Sequence, residues 1–263
     1  MVTKNFIMPL LAGRLGNNLF MIAHAYAKGI DYNKQVVVSR PQVMYEGNDF
    51  SQNIFRKLEF VDELIPIGDV NPIVPNEDKP TFYSGYYQSE IFFDRYRENI
   101  KSLFAPPLEF IERIRRELPF IFTNSVTVIN VRRGDYLHYP YYHPTVSKEF
   151  IDEAVKSVPD ECYLIASDDI DWCKKNIYLP NSHYLEGYSA HEQLWILSMC
   201  HHFIISNSSF SWWAAWLSRY EHKIVIAPET WFGPEGPSNW EDMYCEGWLK
   251  MPTKFKEGLI VPS

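Results

Sequence analysis

Two adjacent arginines, Arg132 and Arg133, leave the run Val126-Thr127-Val128-Ile129-Asn130-Val131 and lead into Gly134-Asp135-Tyr136. A guanidinium stays charged at every working pH, and its planar fork suits phosphate or carboxylate. Successive side chains of a strand point to opposite faces, so one arginine can aim into a crevice while the other braces it. Gly134 permits the turn that Asp135 and Tyr136 follow. The plainer alternative is an Arg–Asp surface pair, worth about 0–1 kcal/mol.

Three more segments put polar groups after apolar runs. Ser206-Asn207-Ser208-Ser209 lies between Phe203-Ile204-Ile205 and a helix predicted to start near Phe210. Strand, short Ser/Asn loop and helix N-terminus together make an anion site from backbone amides, and capping by Ser208 or Ser209 is compatible with it. Ser167-Asp168-Asp169 follows Tyr163-Leu164-Ile165-Ala166; a carboxylate there accepts from a ribose or base edge, holds a divalent metal, or caps the next helix. Gly13-Arg14-Leu15-Gly16-Asn17-Asn18 follows the first strand, with Gly13 and Gly16 allowing close backbone approach and Asn17 able to donate to an oxygen.

Such groups need strands that end at one edge. The first segment predicts a strand at Phe6 to Leu11, a loop at Ala12 to Asn18 and a helix at Leu19 to Ala27, with Val36-Val37-Val38 a second strand. Pro66 to Pro80, rich in Pro, Asn and Asp, predicts a loop. Helices follow at Phe93 to Leu103 and at Pro107 to Leu118, where Pro107 suits a first turn. Ser147 caps a helix whose Phe150, Ile151, Ala154, Val155 and Val158 share one face. A short helix runs to about Asn176, and Ser189 with Glu192 forms a capping box ahead of Leu194, Ile196, Leu197 and Cys200. Lys223 to Ala227 is the last predicted strand. This alternation predicts α/β architecture: an N-terminal unit at 1–123 and a Rossmann-like unit at 124–263, a parallel sheet flanked by helices. Ligands of such sheets bind outside the carboxyl ends of the strands.

The 263 residues are 46% hydrophobic and 22% charged, within the globular range. A net charge of −8 argues against a nucleic-acid or anionic-membrane binder, so any anion site is built from a few local cations and amides. Cys162, Cys173, Cys200 and Cys245 show no CxxC spacing and read as reduced, buried thiols. Neither a signal core nor a run of about 20 apolar residues is visible. The expectation is a bacterial cytoplasmic protein without a membrane span, with peripheral contact at the inner membrane left open.

Taken in order, these segments resemble the α-1,2-fucosyltransferases, glycosyltransferase family eleven. Gly13-Arg14-Leu15-Gly16-Asn17-Asn18-Leu19-Phe20 resembles their GGLGNQMF opening, and Asn130-Val131-Arg132-Arg133-Gly134-Asp135-Tyr136 their HxRRGDY motif. Ala166 to Cys173 is similar to FSDDxxWC, and Ile204 to Leu217 matches ISNSSFSWWAAWL. The likeness runs to Trp231-Phe232, almost the whole chain. Two positions depart: Asn130 stands for the family's histidine and Arg14 for its second glycine. Asn keeps a hydrogen bond but takes up no proton near neutrality.

The resemblance implies a GT-B-like fold with two Rossmann-like domains, the first on the acceptor side. It implies an inverting transfer of fucose from GDP-β-L-fucose without a metal, onto the 2-hydroxyl of a terminal galactoside. Arg132 or Arg133, with amides around Asn207, Ser208, Ser209 and Phe210, would hold the departing diphosphate. Asp168 would lie on the guanosine side, and Gly16 and Asn17 near the diphosphate or the acceptor. Asp135 is either the proton acceptor or locked to an arginine. Trp212, Trp213 and Trp216 are expected in the core, and Trp231, Trp240 and Trp248 along the cleft. His138, Tyr139, Tyr141, Tyr142 and His143 form a loop placed to meet an acceptor, or simply an exposed one. A transferase of the same fold using another nucleotide sugar and a degenerate GDP-sugar-binding protein stand as rivals. Lipopolysaccharide, capsule and phage-related glycans are all open as acceptors.

Overall fold

Four consecutive buried side chains, Phe6–Pro9 (β1), mark a strand covered on both faces, as parallel sheets require. The computed structural model describes residues 5–45, 48–62, 68–159 and 162–263. The chain divides into two units, Met1–Pro106 and Pro107–Ser263.

In the first unit β1 is followed by α1 (Leu15–Asp31), β2 (Gln35–Ser39), β3 (Met44–Tyr45), β4 (Asn48–Asp49) and β5 (Glu59–Val61). Then come β6 (Asp69–Val70), β7 (Thr81–Tyr83) and α2 (Arg97–Leu103). Five strands form one sheet in the order β5-β2-β1-β7-β6, every pairing parallel. β3 and β4 pair antiparallel apart from it.

Helix α1 starts at Leu15, four residues earlier than expected, so Gly16, Asn17 and Asn18 are helical. Their propensities are poor, but Leu15, Leu19, Phe20 and Ile22 are buried, and packing overrides propensity. Gly13 makes the entry, at φ +75 and with no room for a Cβ, which would lie 2.4 Å from Asn17 Nδ2. Of the excursion expected at Pro66 to Pro80, residues 66 and 67 lie outside the described residues, and Asp69–Val70 pairs with β7.

The second unit opens with α3 (Leu108–Glu117), α4 (Phe120–Thr123), β8 (Thr127–Val131), β9 (Thr145–Val146) and α5 (Lys148–Val155). It continues through β10 (Tyr163–Ser167), α6 (Ile170–Asn176), β11 (Ser182–Tyr184), α7 (Ala190–Ser198), β12 (His202–Ile205) and α8 (Ser209–Leu217). It ends with β13 (Val225–Pro228), β14 (Leu249–Met251), β15 (Thr253–Lys256) and β16 (Leu259–Pro262). Six parallel strands run β11-β10-β8-β12-β13-β14. A smaller sheet runs β15-β16-β9.

Three expectations shift. The unit boundary falls at 106/107 instead of 123/124, because α3 packs within the second unit: Phe110 meets Trp195, and Arg113 pairs with Glu192. Pro107 is the N-cap of α3, not its first turn. Three strands, β14 to β16, follow the one expected to be last. The caps at Ser147 and Ser189–Glu192 form as read, and all four cysteines are buried thiols. Trp212, Trp213 and Trp216 are fully buried core residues. Among the described residues, no helix is long and apolar enough to cross a membrane.

Titration of one core residue should be visible in stability. His24 on α1 is buried, stacked on Tyr87 at 3.8 Å and met edge-on by Tyr83 and Phe92. Burial and the nearby Lys28 push its pKa down to about 4, against an opposing pull from Asp31. A folded value below the unfolded one means the unfolded chain takes up the proton first as pH falls. Stability should therefore be complete above about 6.5 and decline toward about 4, by on the order of 3 kcal/mol. Denaturant unfolding across that range should show the decline in the natural chain and lose it in His24→Phe.

Candidate active site

Val131 ends β8 directly opposite Ser167, the last residue of β10. The next residues along, Arg132 and Asp168, are neighbours by register. Arg132 Nη1 lies 2.9 Å from Asp168 Oδ2, and Nη2 lies 2.5 Å from Asp135 Oδ1. The second Asp168 oxygen accepts from the Arg133 amide at 2.9 Å. Arg133 is engaged elsewhere: its Nε donates to Asp169 Oδ2 at 3.1 Å, and its Cζ sits 4.2 Å from the Trp172 ring centroid. Asp169 also caps α6, accepting from Trp172 N at 3.2 Å. Strand alternation thus sorts the pair. Arg133 is tied to α6, while Arg132 lies over Tyr136, Cζ 5.4 Å from the ring centroid.

Side-chain exposures of 18% for Arg132 and 13% for Arg133 place both guanidiniums in partly desolvated surroundings. Charge interactions are stronger there than in open water. Gly134 is required for a different reason than a left-handed turn. A Cβ at that position would lie 2.2 Å from Asp168 Oδ2, so only glycine lets the carboxylate reach Arg132.

On the other side of β8 lies β12, with Ile205 opposite Asn130. Helix α8 begins just beyond it. Ser208 occupies the N-cap in an extended conformation but makes no side-chain cap bond. The first helical bond runs from Trp212 N to Ser208 O at 2.9 Å. The amides of the first turn, at Ser209 and Phe210, lack a side-chain cap, the arrangement in which a helix start can receive an anion. Tyr136 links the two halves of this edge, donating its hydroxyl to the Asn207 carbonyl at 3.1 Å.

Several expected site residues make contacts within the protein. Asn207 is 1% exposed, and its amide donates to the Pro144 and Trp231 carbonyls at 3.0 and 2.7 Å, so the side chain holds loops together instead of facing a ligand. Asp168 engages both oxygens on the arginine motif. Asp135 is locked to Arg132. Asn130 is buried, donating to the Ala166 carbonyl at 3.3 Å and accepting from Ser211, which also meets Ser206. Trp231, expected along a cleft, is buried against Tyr244, whereas Trp240 and Trp248 are half-buried. Gly16 and Asn17 belong to the first unit, where Asn17 Oδ1 accepts from Gln88 at 2.7 Å. Among the described residues no three His, Cys, Asp or Glu side chains gather as a metal site.

The aromatic loop after Tyr136 divides in two. Leu137, Tyr139, Tyr141 and Tyr142 are exposed. His143 instead folds back, its ring stacked on Tyr136 with centroids 4.5 Å apart and planes at 14°. Sequence reading placed His143 only in the loop. The nearest signal for its position was the proline that follows, since Pro144 offers the carbonyl that Asn207 holds.

A parallel α/β unit with an arginine and a helix start at one strand edge has the elements of an anion site. The family model described as glycosyl transferase family 11 matches residues 33–251, and the chain belongs to that family. An α-1,2-colitosyltransferase of Escherichia coli is 26% identical over 94% of this chain and 99% of that protein. Galactoside α-(1,2)-fucosyltransferase 1 of Alouatta belzebul is 25% identical over 54% of this chain and 44% of that protein. Among solved structures the fucosyltransferase NodZ of Bradyrhizobium matches with a TM-score of 0.58 at 12% identity, over 81% of this chain and 93% of that one. NodZ soaked with GDP-fucose gives 0.56 at 16% identity, over 82% of this chain and 93% of that one. The fold is GT-B-like, with two Rossmann-like units, and the protein is a glycosyltransferase of family 11.

The contact between Gly134 and Asp168 can be measured. Gly134→Ala should lower unfolding free energy by about 1–3 kcal/mol through overpacking. In an Asp168→Ala background the same change should be much less costly, giving a coupling of about 1 kcal/mol or more in a double-mutant cycle. Additive effects in urea melts would refute the close approach.

Proposed function

We propose that the chain is an inverting, metal-independent transferase moving L-fucose from GDP-β-L-fucose to the 2-hydroxyl of a terminal galactoside. The observation that carries this reading is Arg132, fixed by two carboxylates at the end of β8, with the uncapped start of α8 following the neighbouring strand β12. Breaking the bond between sugar and diphosphate puts negative charge on the leaving group while positive charge grows on the ring. Donors aimed in advance at that developing charge lower the barrier without reorganising. Arg132 and the amides of Ser209 and Phe210 take this role, and Arg133 braces the edge from α6. Asp135 and Asp168 orient Arg132; when nucleotide is bound, Asp168 also lies on its guanosine side.

Asn130 does not weaken the reading. Its amide is engaged on both sides within the sheet edge, a bracing role that needs no titrating proton. Fucose as donor sugar and the 2-position as target draw support from the family and from the galactoside α-(1,2)-fucosyltransferase relative. The colitosyltransferase relative, aligned along nearly its whole length, favours a second reading in which the donor sugar is colitose, fucose without its 3-hydroxyl.

Transfer from GDP-fucose and GDP-colitose to a panel of galactosides, with the linkage assigned by NMR, tests both readings. One donor should give an α-1,2 product, and no product from either would reject the assignment. Arg132→Ala should cut turnover by about 10²–10³ while weakening GDP binding far less, as titration calorimetry and steady-state rates would show. Undiminished turnover in that variant would remove Arg132 from the mechanism.

A further inference from the structure

Tyr136 is shared by two functional groups: the Arg132 guanidinium lies over its ring, and the His143 imidazole is stacked flat against it. Tyr142 and Phe232 complete a box around the imidazole, at centroid distances of 4.5 and 5.7 Å. Asn207 fixes this box from one point. Its carbonyl accepts from the Tyr136 hydroxyl, and its side chain donates to the carbonyl of Pro144, the residue after His143. The imidazole is thereby hung from the residue that precedes the N-cap of α8, at the edge that carries the first-turn amides.

The carboxylates of this edge are committed. Asp135 is paired with Arg132, Asp168 with Arg132 and the Arg133 amide, and Asp169 with Arg133 and the cap of α6. His143 differs. Its Nδ1 is buried and makes no hydrogen bond, while the residue as a whole is only half-buried, which leaves Nε2 as the nitrogen available to a substrate.

We propose that His143 is the general base of the transfer, taking the proton of the acceptor hydroxyl on Nε2; this rests on the GDP-sugar reading of the site given above. As the proton passes to Nε2, the acceptor oxygen bonds to the anomeric carbon. The bond from that carbon to the diphosphate oxygen breaks, and its electron pair leaves on the nucleoside diphosphate that Arg132 holds. The imidazolium then returns its proton to water. Nucleophile and leaving group lie on opposite sides of one carbon, with reacting atoms about 3–3.5 Å apart at the start. A base one aromatic ring away from the leaving-group cation suits that span.

The surroundings keep the imidazole neutral and ready. Burial holds its pKa below the ordinary histidine value; Asp135 pulls it up and Arg132 pushes it down. Tyr136 and Tyr142 are its ionisable ring neighbours, and Glu235 is the charged residue on the Phe232 loop, its amide bonded to Tyr141 O at 3.0 Å. Turnover should therefore fall as pH drops through a value below about 6.5, where the imidazole charges.

The test compares the natural chain with His143→Gln and His143→Ala over a range of pH, using whichever GDP-sugar and galactoside support transfer. Expected is a 10²–10⁴-fold fall in kcat with donor KM within a few-fold, loss of the acid limb, and partial rescue of His143→Ala by added imidazole. A natural enzyme without an acid limb overturns the proposal, and that measurement stands even if neither variant folds. Variants retaining rates within threefold overturn it too, as does a fall in rate that keeps the acid limb and resists imidazole. Absence of transfer by the natural chain from any GDP-sugar would instead reject the site reading itself.

Discussion

A guanidinium withdrawn partly from water must be met by carboxylates, and Arg132 meets two, from Asp135 three residues on and from Asp168 on the next strand. Much of the second unit follows from that requirement. β10 must lie beside β8 with Ser167 opposite Val131, because a shift of one residue would turn Asp168 to the other face. Position 134 must lack a side chain, because a Cβ would occupy the place of the carboxylate. Arg133 must then leave by the opposite face, where Trp172 and Asp169 receive it and tie the motif to α6.

The same strand is gripped from its other neighbour. Asn130 sits mid-edge, its amide reaching Ala166 on β10 and its carbonyl oxygen taking the Ser211 hydroxyl from α8. The backbone adds to this, with Ser206 N donating to Asn130 O at 3.0 Å. So one side chain couples the arginine strand to the helix whose first-turn amides face the same edge. An anion site of the kind proposed would need no basic surface, so a net charge of −8 does not count against it.

Strand ends were legible in the sequence, because short apolar runs closed by Arg, Asp or Ser/Asn mark where a buried strand meets its loop. Hence β8, β10, β12 and α8 lie where the residue pattern put them. The start of α1 was not legible: Gly16-Asn17-Asn18 argues for a loop, and only the burial of Leu15 and its neighbours makes helix. β14 to β16 are short and interrupted by Pro252 and Gly258, with partly exposed faces that give weak periodicity. Nor could sequence show which polar residues point inward. Asn207 reads as a ligand contact until its amide is seen bonded to carbonyls 63 and 24 residues away. The stacking of His143 on Tyr136 depends on those same long-range bonds.

On the proposed function, the arginine edge would read only the part of a donor that many donors share. Fucose and colitose as GDP-sugars carry the same diphosphate and differ by one hydroxyl on the ring. A site that hydrogen-bonds that hydroxyl rejects the sugar lacking it by about 10⁴–10⁵, because a buried polar group is left unpaired. A site that presents apolar surface there discriminates only weakly against the hydroxylated sugar, by about 10². On the proposed function, choice between fucose and colitose would be set by the group that meets the ring's 3-position. The Arg132–Asp168 lattice can stay unchanged while that choice switches.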